Sequence, residues 1–127
     1  MQEQHLFEYA VIRVVPRVER EEFMNVGVIL YCAKPPFLEA KINVDAEQLR
    51  TFCSKLDVPA VTEALNALSR ICAGGENSGP IGKLENAARF RWLTATRSTV
   101  VQTSKVHPGF CLDPAETLSR LFEQLVL

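Results

Sequence analysis

The stretch that decides the fold is FEYAVIRVV, residues 7–15. It is rich in β-branched and aromatic residues, and apolar side chains fall on both faces that a strand would present. This pattern predicts a central strand of a sheet, and Pro16 ends it. Residues 25–33, NVGVILYCA, repeat the two-sided apolar pattern after a short charged connector, so they predict a second strand.

Two further segments read as strands. Residues 37–44, FLEAKINV, alternate apolar and polar side chains and predict a third strand with one solvated face. Residues 98–106, STVVQTSKV, predict a fourth. The first three strands are joined by short connections, which favours antiparallel order.

Helix signals lie between the third and fourth strands. Asp45 with Gln48 resembles a capping box and predicts a helix that runs to about Lys55. A second helix begins near Asp57, and its inward-facing stripe consists of Val58, Val61, Leu65, Leu68 and Cys72.

The last third of the chain adds two weaker elements to these. Residues 84–92 predict a short helix or a turn, and Asp113 followed by Pro114 marks the start of a final helix. The order is therefore β-β-β-α-α-β-α. Its simplest packing is an α+β fold in two layers, a mostly antiparallel sheet with the helices packed on one face.

Length and composition favour one soluble globular domain over residues 1–127, with 47% apolar and 23% charged residues. Residues 1–6 form a polar N-terminal leader unlike a signal peptide, and residues 74–82 form a flexible Gly-rich loop. The longest apolar run, residues 26–33, is far too short to span a membrane. We therefore expect a cytoplasmic protein without a membrane partner.

The net charge of −1 gives the molecule as a whole no strong electrostatic attraction to DNA or to anionic lipid. Four cysteines are present without a C-x-x-C pair, and there are two histidines, a set that does not match the clustered ligands of a zinc site. We expect no metal, no cofactor and four reduced thiols that are mostly buried.

Sequence features of catalysis are weak, so an enzyme is the less favoured expectation. A phosphate-binding loop is not matched, because Asn77 stands where the motif needs a glycine and Leu84 follows Lys83 where it needs a hydroxyl residue. His107 is the one usable base of its type, and Ser104 stands near it in sequence. Alternation along a strand directs Ser104 and His107 to different faces, so a nucleophile–base pair is not implied.

Arg13 is a candidate binding residue because it lies inside the central strand among apolar neighbours. A buried guanidinium needs a carboxylate, carbonyl groups or a ligand anion. Gly27 in the second strand would leave space for it, and Asn25 would face the same side. The alternative is that the stem of Arg13 packs while its head reaches the rim of the sheet.

A cationic stretch, residues 88–109, supplies the other candidates, which are Arg89, Arg91, Ser104, Lys105 and His107. Three interpretations stay open: surface plus core, a protein or anion contact, and nucleic-acid binding by stacking on the interleaved aromatic residues. We predict that the backbone alternates and that Arg91, His107 and Arg13 share one face. Trp92 is predicted to be buried in the core.

The motifs together resemble a known bacterial family. YAVIRVVP, EFMNVGVILY, FRWLTATRS, SKVHPG and DPAETLSRLFEQLV are similar to the family known as domain of unknown function 3037. The resemblance implies a small bacterial cytosolic protein without an established activity and a kinase-like protein of the persistence-toxin type as a candidate partner. The polar pattern of the family is matched at Arg13, Pro16, Asn25, Gly27, Arg91, Trp92, Ser104 and His107.

Two functional classes follow from these observations. The first is a non-catalytic accessory or interaction module, and the second is a binder or enzyme acting on a phosphorylated or nucleic-acid ligand through a cationic surface. Convergence of Arg13, Arg91 and His107 in one concave pocket would favour the second class, whereas scatter would favour the first.

Overall fold

One antiparallel sheet of five strands organises the part of the chain that the computed structural model describes, residues 3–97 and 99–127. The strands are β1 (His5–Val14), β2 (Met24–Cys32), β3 (Phe37–Ile42), β4 (Val101–Thr103) and β5 (His107–Cys111). β1 is central, with β2 and then β3 on one side, while β4 and β5 pair with successive parts of β1 on the other side. The predicted antiparallel order of the first three strands is confirmed.

Of the described residues in the fourth strand predicted over 98–106, only Val101–Thr103 forms a strand, β4, and a fifth strand that was not predicted, β5, follows after a division at residues 104–106. Ser104 lies at the division, because its hydroxyl oxygen accepts a hydrogen bond from the Val11 amide at 2.9 Å in place of a backbone carbonyl. The chain then continues to His107, which pairs with Tyr9 further along β1. Ser98, the first residue of the predicted strand, lies outside the described residues.

Five helices accompany the sheet in the described ranges: α1 (Ala46–Phe52), α2 (Val58–Ala73), α3 (Gly79–Gly82), α4 (Asn86–Leu93) and α5 (Pro114–Leu125). The carboxylates of Asp45, Asp57 and Asp113 accept hydrogen bonds from amides in the first turns of α1, α2 and α5. The predicted inward stripe of α2 is buried at all five positions.

The α+β class is confirmed, but the helices cover both faces of the sheet rather than one. Ala10, Ile12 and Ile29 pack with residues of α2 and α4 on what we name the α2 face. Val28 and Leu30 pack with α5 on the opposite, α5 face. The central strands are apolar on both sides, so each side requires a cover to leave water.

Two smaller differences concern the leader and the Gly-rich loop. β1 begins at His5, so the last two residues of the predicted leader belong to the sheet. The segment 74–82, predicted as a loop, contains a 3₁₀ turn at Glu76–Ser78 followed by α3.

All four cysteine thiols are free, as predicted; Cys32, Cys72 and Cys111 are buried and Cys53 is half-buried. Burial raises the pKa of Cys72 to about 12. Burial also raises the pKa of Cys111. Within the described ranges, every helix is too short or too polar to cross a membrane.

Candidate functional site

Arg13 and Asn25 lie opposite each other on β1 and β2 and point to the α5 face. The guanidinium carbon of Arg13 lies 3.9 Å from the centre of the Phe23 ring, a cation–π contact. The Asn25 amide nitrogen donates a hydrogen bond of 3.1 Å to the Leu125 carbonyl at the end of α5. Both side chains are half-buried. Arg13 contacts the connector before β2, and Asn25 contacts the end of α5.

The expected space for Arg13 beside Gly27 does not exist, because an irregularity in register separates the two residues. The β1–β2 register shifts between Ile12 and Arg13, so Gly27 pairs with Ile12 instead and belongs to the α2 face. A Cβ on Gly27 would lie 2.6 Å from the Lys41 carbonyl oxygen and 3.2 Å from Ile12 Cδ1. Gly27 is therefore required for the close packing of three strands.

Arg89 closes the C-terminal end of α2. Its Nη1 donates to the carbonyl oxygens of Ile71 and Cys72, each at 3.3 Å, and its Nη2 donates to the Asn86 side-chain oxygen. A cation at this position also meets the negative end of the helix dipole. Because Arg89 is only 8% exposed, the guanidinium serves the fold and is not presented to solvent.

Arg91 forms a two-pronged ion pair with Glu8 of β1. Its two terminal nitrogens donate to the two carboxylate oxygens at 2.6 and 2.8 Å. The hydrogen bond from Arg91 lowers the pKa of the Glu8 carboxyl, partly opposed by burial, and the Arg91 charge lowers it further. This pair joins α4 to the sheet on the α2 face and neutralises the charge of Arg91.

The remaining three candidates differ in exposure. Ser104 is buried, and its hydroxyl donates to the Lys105 carbonyl at 2.9 Å while it accepts from the Val11 amide. The His107 ring packs against Tyr9, with ring centres 5.3 Å apart. Lys105 is exposed and forms no ion pair with any residue that the structure describes.

Arg13, Arg91 and His107 do not converge on one pocket. Arg91 reaches Glu8 on the α2 face, whereas the His107 ring lies with Tyr9 on the opposite face. Arg13 shares that opposite face, but it lies four positions along β1 from Tyr9, about 13 Å of extended chain. This scatter weighs against the cationic-surface alternative. The predicted alternation from residue 89 was also wrong, because residues 86–93 are helical.

Trp92 is 41% exposed, so the prediction that it is buried was wrong. Phe90 occupies the core instead, is fully buried, and stacks on Tyr31 with ring centres 5.4 Å apart. A helix rotates about 100° per residue, which turns side chains two positions apart to different sides of α4. The Arg97 guanidinium carbon lies 4.3 Å from the centre of the exposed Trp92 ring.

Beside this indole runs an open, mostly apolar groove of about 400 Å³ between α2 and residues 92–97 and 99–103, which we name the Trp92 groove. Its α2 wall consists of Ala60, Ala64 and Ala67 together with Val61, Leu68 and Ile71. Its other side includes Trp92, Leu93, Arg97, Thr99, Val100, Val101 and Thr103. A volume of this size is typical of ligand sites.

Sequence reasoning missed this groove, although a signal for it is present in α2. The alanines at positions 60, 64 and 67 follow the spacing i, i+4, i+7, which is a second apolar stripe beside the buried one. A solvated helix face would carry charged side chains there. Among the described residues, no three His, Cys, Asp or Glu side chains are grouped so that they would hold a metal ion.

The structure thus defines an α+β protein with an antiparallel sheet between two helical layers and an open apolar groove on the α2 face. The chain belongs to the family described as Protein of unknown function (DUF3037), whose family model matches residues 9–126. That match includes every residue of the Trp92 groove. Comparisons with curated proteins and with solved structures found no match.

Proposed function

We propose that this protein is a non-catalytic interaction module that binds a protein partner in the Trp92 groove. The observation that carries the proposal is the exposed indole of Trp92 beside a wall of uncharged alanines in α2. Tryptophan is enriched among the residues that dominate binding energy at protein interfaces. An apolar side chain of a partner could pack against the half-exposed indole and fill the apolar groove beside it.

The contacts that the polar candidate residues make within the fold support a binding role over a catalytic one. Arg89 and Arg91 are engaged by carbonyl groups and by Glu8. The Ser104 hydroxyl is buried and bonded to backbone groups. A nucleophile needs an adjacent base and access to substrate, and the environment of Ser104 offers neither.

The candidate partner, which the family resemblance implies, is a kinase-like protein of the persistence-toxin type. The proposed setting is the cytoplasm of a bacterium. The chemistry of the groove sets a requirement on any such partner: apolar side chains at the contact, with charged groups at the rim. Docking of a partner at the groove would leave the ion pair between Arg91 and Glu8 intact.

Affinity purification from the native host tests the proposal when wild type is compared with two matched variants. Ala64→Arg places a charged side chain in the groove, whereas Ala87→Arg adds the same side chain at an exposed position of α4 that does not line it. We expect a protein recovered with wild type and with Ala87→Arg and depleted at least tenfold with Ala64→Arg.

The folded state of each variant is checked by circular dichroism, and the kinase-like protein is assayed separately as a purified candidate. Equal recovery with Ala64→Arg and Ala87→Arg would remove the groove from the binding surface and contradict the proposal.

A further inference from the structure

β4 forms the end of the sheet next to the Trp92 groove, and its register shows which of its backbone groups face away from β1. The Val15 amide donates to the Val100 carbonyl at 2.6 Å, and the Ser104 amide donates to the Val11 carbonyl at 2.8 Å. Residues 100, 102 and 104 therefore direct their backbone groups toward β1. Alternation along the strand directs those of Val101 and Thr103 away from it, to the open edge.

The side chains of the same two residues face the groove. Val101 pairs with Val14 and Thr103 pairs with Ile12, which places both on the α2 face. Both residues line the groove. At the open edge, the Val101 carbonyl accepts a hydrogen bond of 2.7 Å from the Thr99 hydroxyl. Backbone groups that face the open edge and side chains that face the groove thus belong to one short segment.

We propose that the Trp92 groove binds an extended segment of the protein partner, which adds to β4 as a further strand. The proposal rests on the function proposed above and specifies how the partner is held. The backbone of the segment pairs with Val101 and Thr103, and its alternate apolar side chains enter the trough between α2 and Trp92. Strand addition at a sheet edge is a recurring mode of peptide recognition.

An extended occupant fits the edge better than a helical one. A helix uses its own backbone groups internally and would cover the amides of Val101 and Thr103 without pairing them, which costs free energy once water is excluded. A strand pairs them. Ala60 and Ala64 are about 6 Å apart along α2, close to the spacing of about 6.6 Å between alternate side chains of a strand.

The charges at the groove indicate one further property of the segment. Asp57 and Arg97 are the charged residues that line the groove. The Asp57 carboxylate already accepts a hydrogen bond of 3.0 Å from the Ala60 amide. Arg97 donates to the carbonyl oxygens of Leu93 and Trp92, and no carboxylate forms an ion pair with it within the described ranges. The segment therefore carries a carboxylate that reaches Arg97.

Amide hydrogen exchange tests the proposed pairing directly. The probe is the tightest peptide selected from a phage-displayed library of random dodecapeptides against wild type, with Ala64→Arg protein used to remove peptides that bind elsewhere. Saturation with this peptide is expected to slow exchange of the Val101 and Thr103 amides at least tenfold. The Gln102 amide, which faces β1, is the internal control and should change less than twofold.

Two substitutions at one position test the same point by affinity. Thr103→Pro removes an amide that faces away from β1, so the β1 ladder keeps its bonds, whereas Thr103→Ala keeps the amide. We expect Thr103→Pro to weaken peptide binding at least tenfold and Thr103→Ala to change it less than threefold. Where Thr103→Pro fails to fold, the exchange measurement on wild type decides.

The outcomes separate the two proposals. Peptide binding that needs the groove but leaves the exchange of Val101 and Thr103 unchanged overturns strand addition and leaves the proposed function standing. Failure to select any groove-dependent peptide, together with equal recovery of host proteins by Ala64→Arg and wild type, overturns both. Protection of the same amides by self-association at high protein concentration assigns the edge to a second copy and also overturns the proposal.

Discussion

The two aromatic residues of α4, Phe90 and Trp92, are two positions apart and have opposite environments. Phe90→Ala would empty a fully buried site and is expected to lower the free energy of unfolding by about 3–5 kcal/mol. Trp92→Ala removes a side chain that is 41% exposed and should cost about 1 kcal/mol. Urea denaturation of both variants measures the difference. A larger loss of stability for Trp92→Ala than for Phe90→Ala would contradict the exposed position of Trp92.

The cysteines provide a second test at this scale. Cys53 is half-buried, whereas burial raises the pKa of Cys72 to about 12 and keeps its thiol protonated near neutral pH. With a chromogenic disulfide reagent, we expect Cys53 to react first in the native protein and the buried thiols to follow only on unfolding. Cys53→Ser should remove the fast phase, and a Cys72 as fast as Cys53 would be inconsistent with the packing of α2.

Gly74 tests the role of Arg89 at the end of α2. Both Gly74 and Gly79 have φ of +76°, but a Cβ on Gly74 would lie 1.9 Å from Arg89 Nη1, whereas one on Gly79 meets no atom within 4 Å. Gly79→Ala should cost about 1–3 kcal/mol from backbone strain alone. Gly74→Ala should cost more, since the buried guanidinium must also move. Equal losses in thermal unfolding would contradict the capping role of Arg89.

At the scale of elements, local signals predicted most of the fold. The two-sided apolar pattern identified β1 and β2, and the caps Asp57 and Asp113 located the starts of α2 and α5 within a residue or two. The division between β4 and β5 was not predictable, because it depends on the bond between the Val11 amide and Ser104, 93 residues apart. The placement of α5 on the opposite face follows from the two-sided apolar pattern of β2, a signal that the predicted packing of all helices on one face did not use.

The ion pair between Glu8 of β1 and Arg91 of α4 predicts that the free energy of unfolding depends on pH. The pKa of Glu8 is lowered in the folded state from its ordinary value of 4.5, mainly by the hydrogen bond from Arg91. The pair therefore stabilises the fold fully above about pH 4.5, and this stability is lost as the pH falls through the lower folded-state pKa. Because the Arg91 side chain is 57% exposed, the contribution is at most about 1 kcal/mol.

Glu8→Gln should remove this contribution at pH 7 and leave little difference from wild type near pH 2. Glu123→Gln, at an exposed position of α5 outside any ion pair of the described residues, is the control. A constant difference between Glu8→Gln and wild type across this range, measured by urea denaturation, would assign the effect to packing.

At the scale of the whole molecule, charge along the chain grouped residues that the fold separates. The cationic stretch 88–109 does border the Trp92 groove, yet Arg89 and Arg91 serve α2 and β1. Charge clustering along a chain does not reveal which face each side chain will occupy or which partner it will find after folding. The groove depends on α2 and β4 meeting across the 27 residues that separate Ala73 from Val101, which no local pattern encodes.

The most direct test of the central claim, that a partner segment lies in the Trp92 groove along β4, is site-specific photo-crosslinking in the native host. A benzophenone side chain is placed at Val100, exposed at the rim of the groove, or at Phe110, exposed outside it. We predict a crosslinked protein from Val100 and none from Phe110, with the crosslink mapped by mass spectrometry to a segment with alternating apolar residues and a carboxylate. Crosslinking from Phe110 alone, or equally from both positions, would contradict this account.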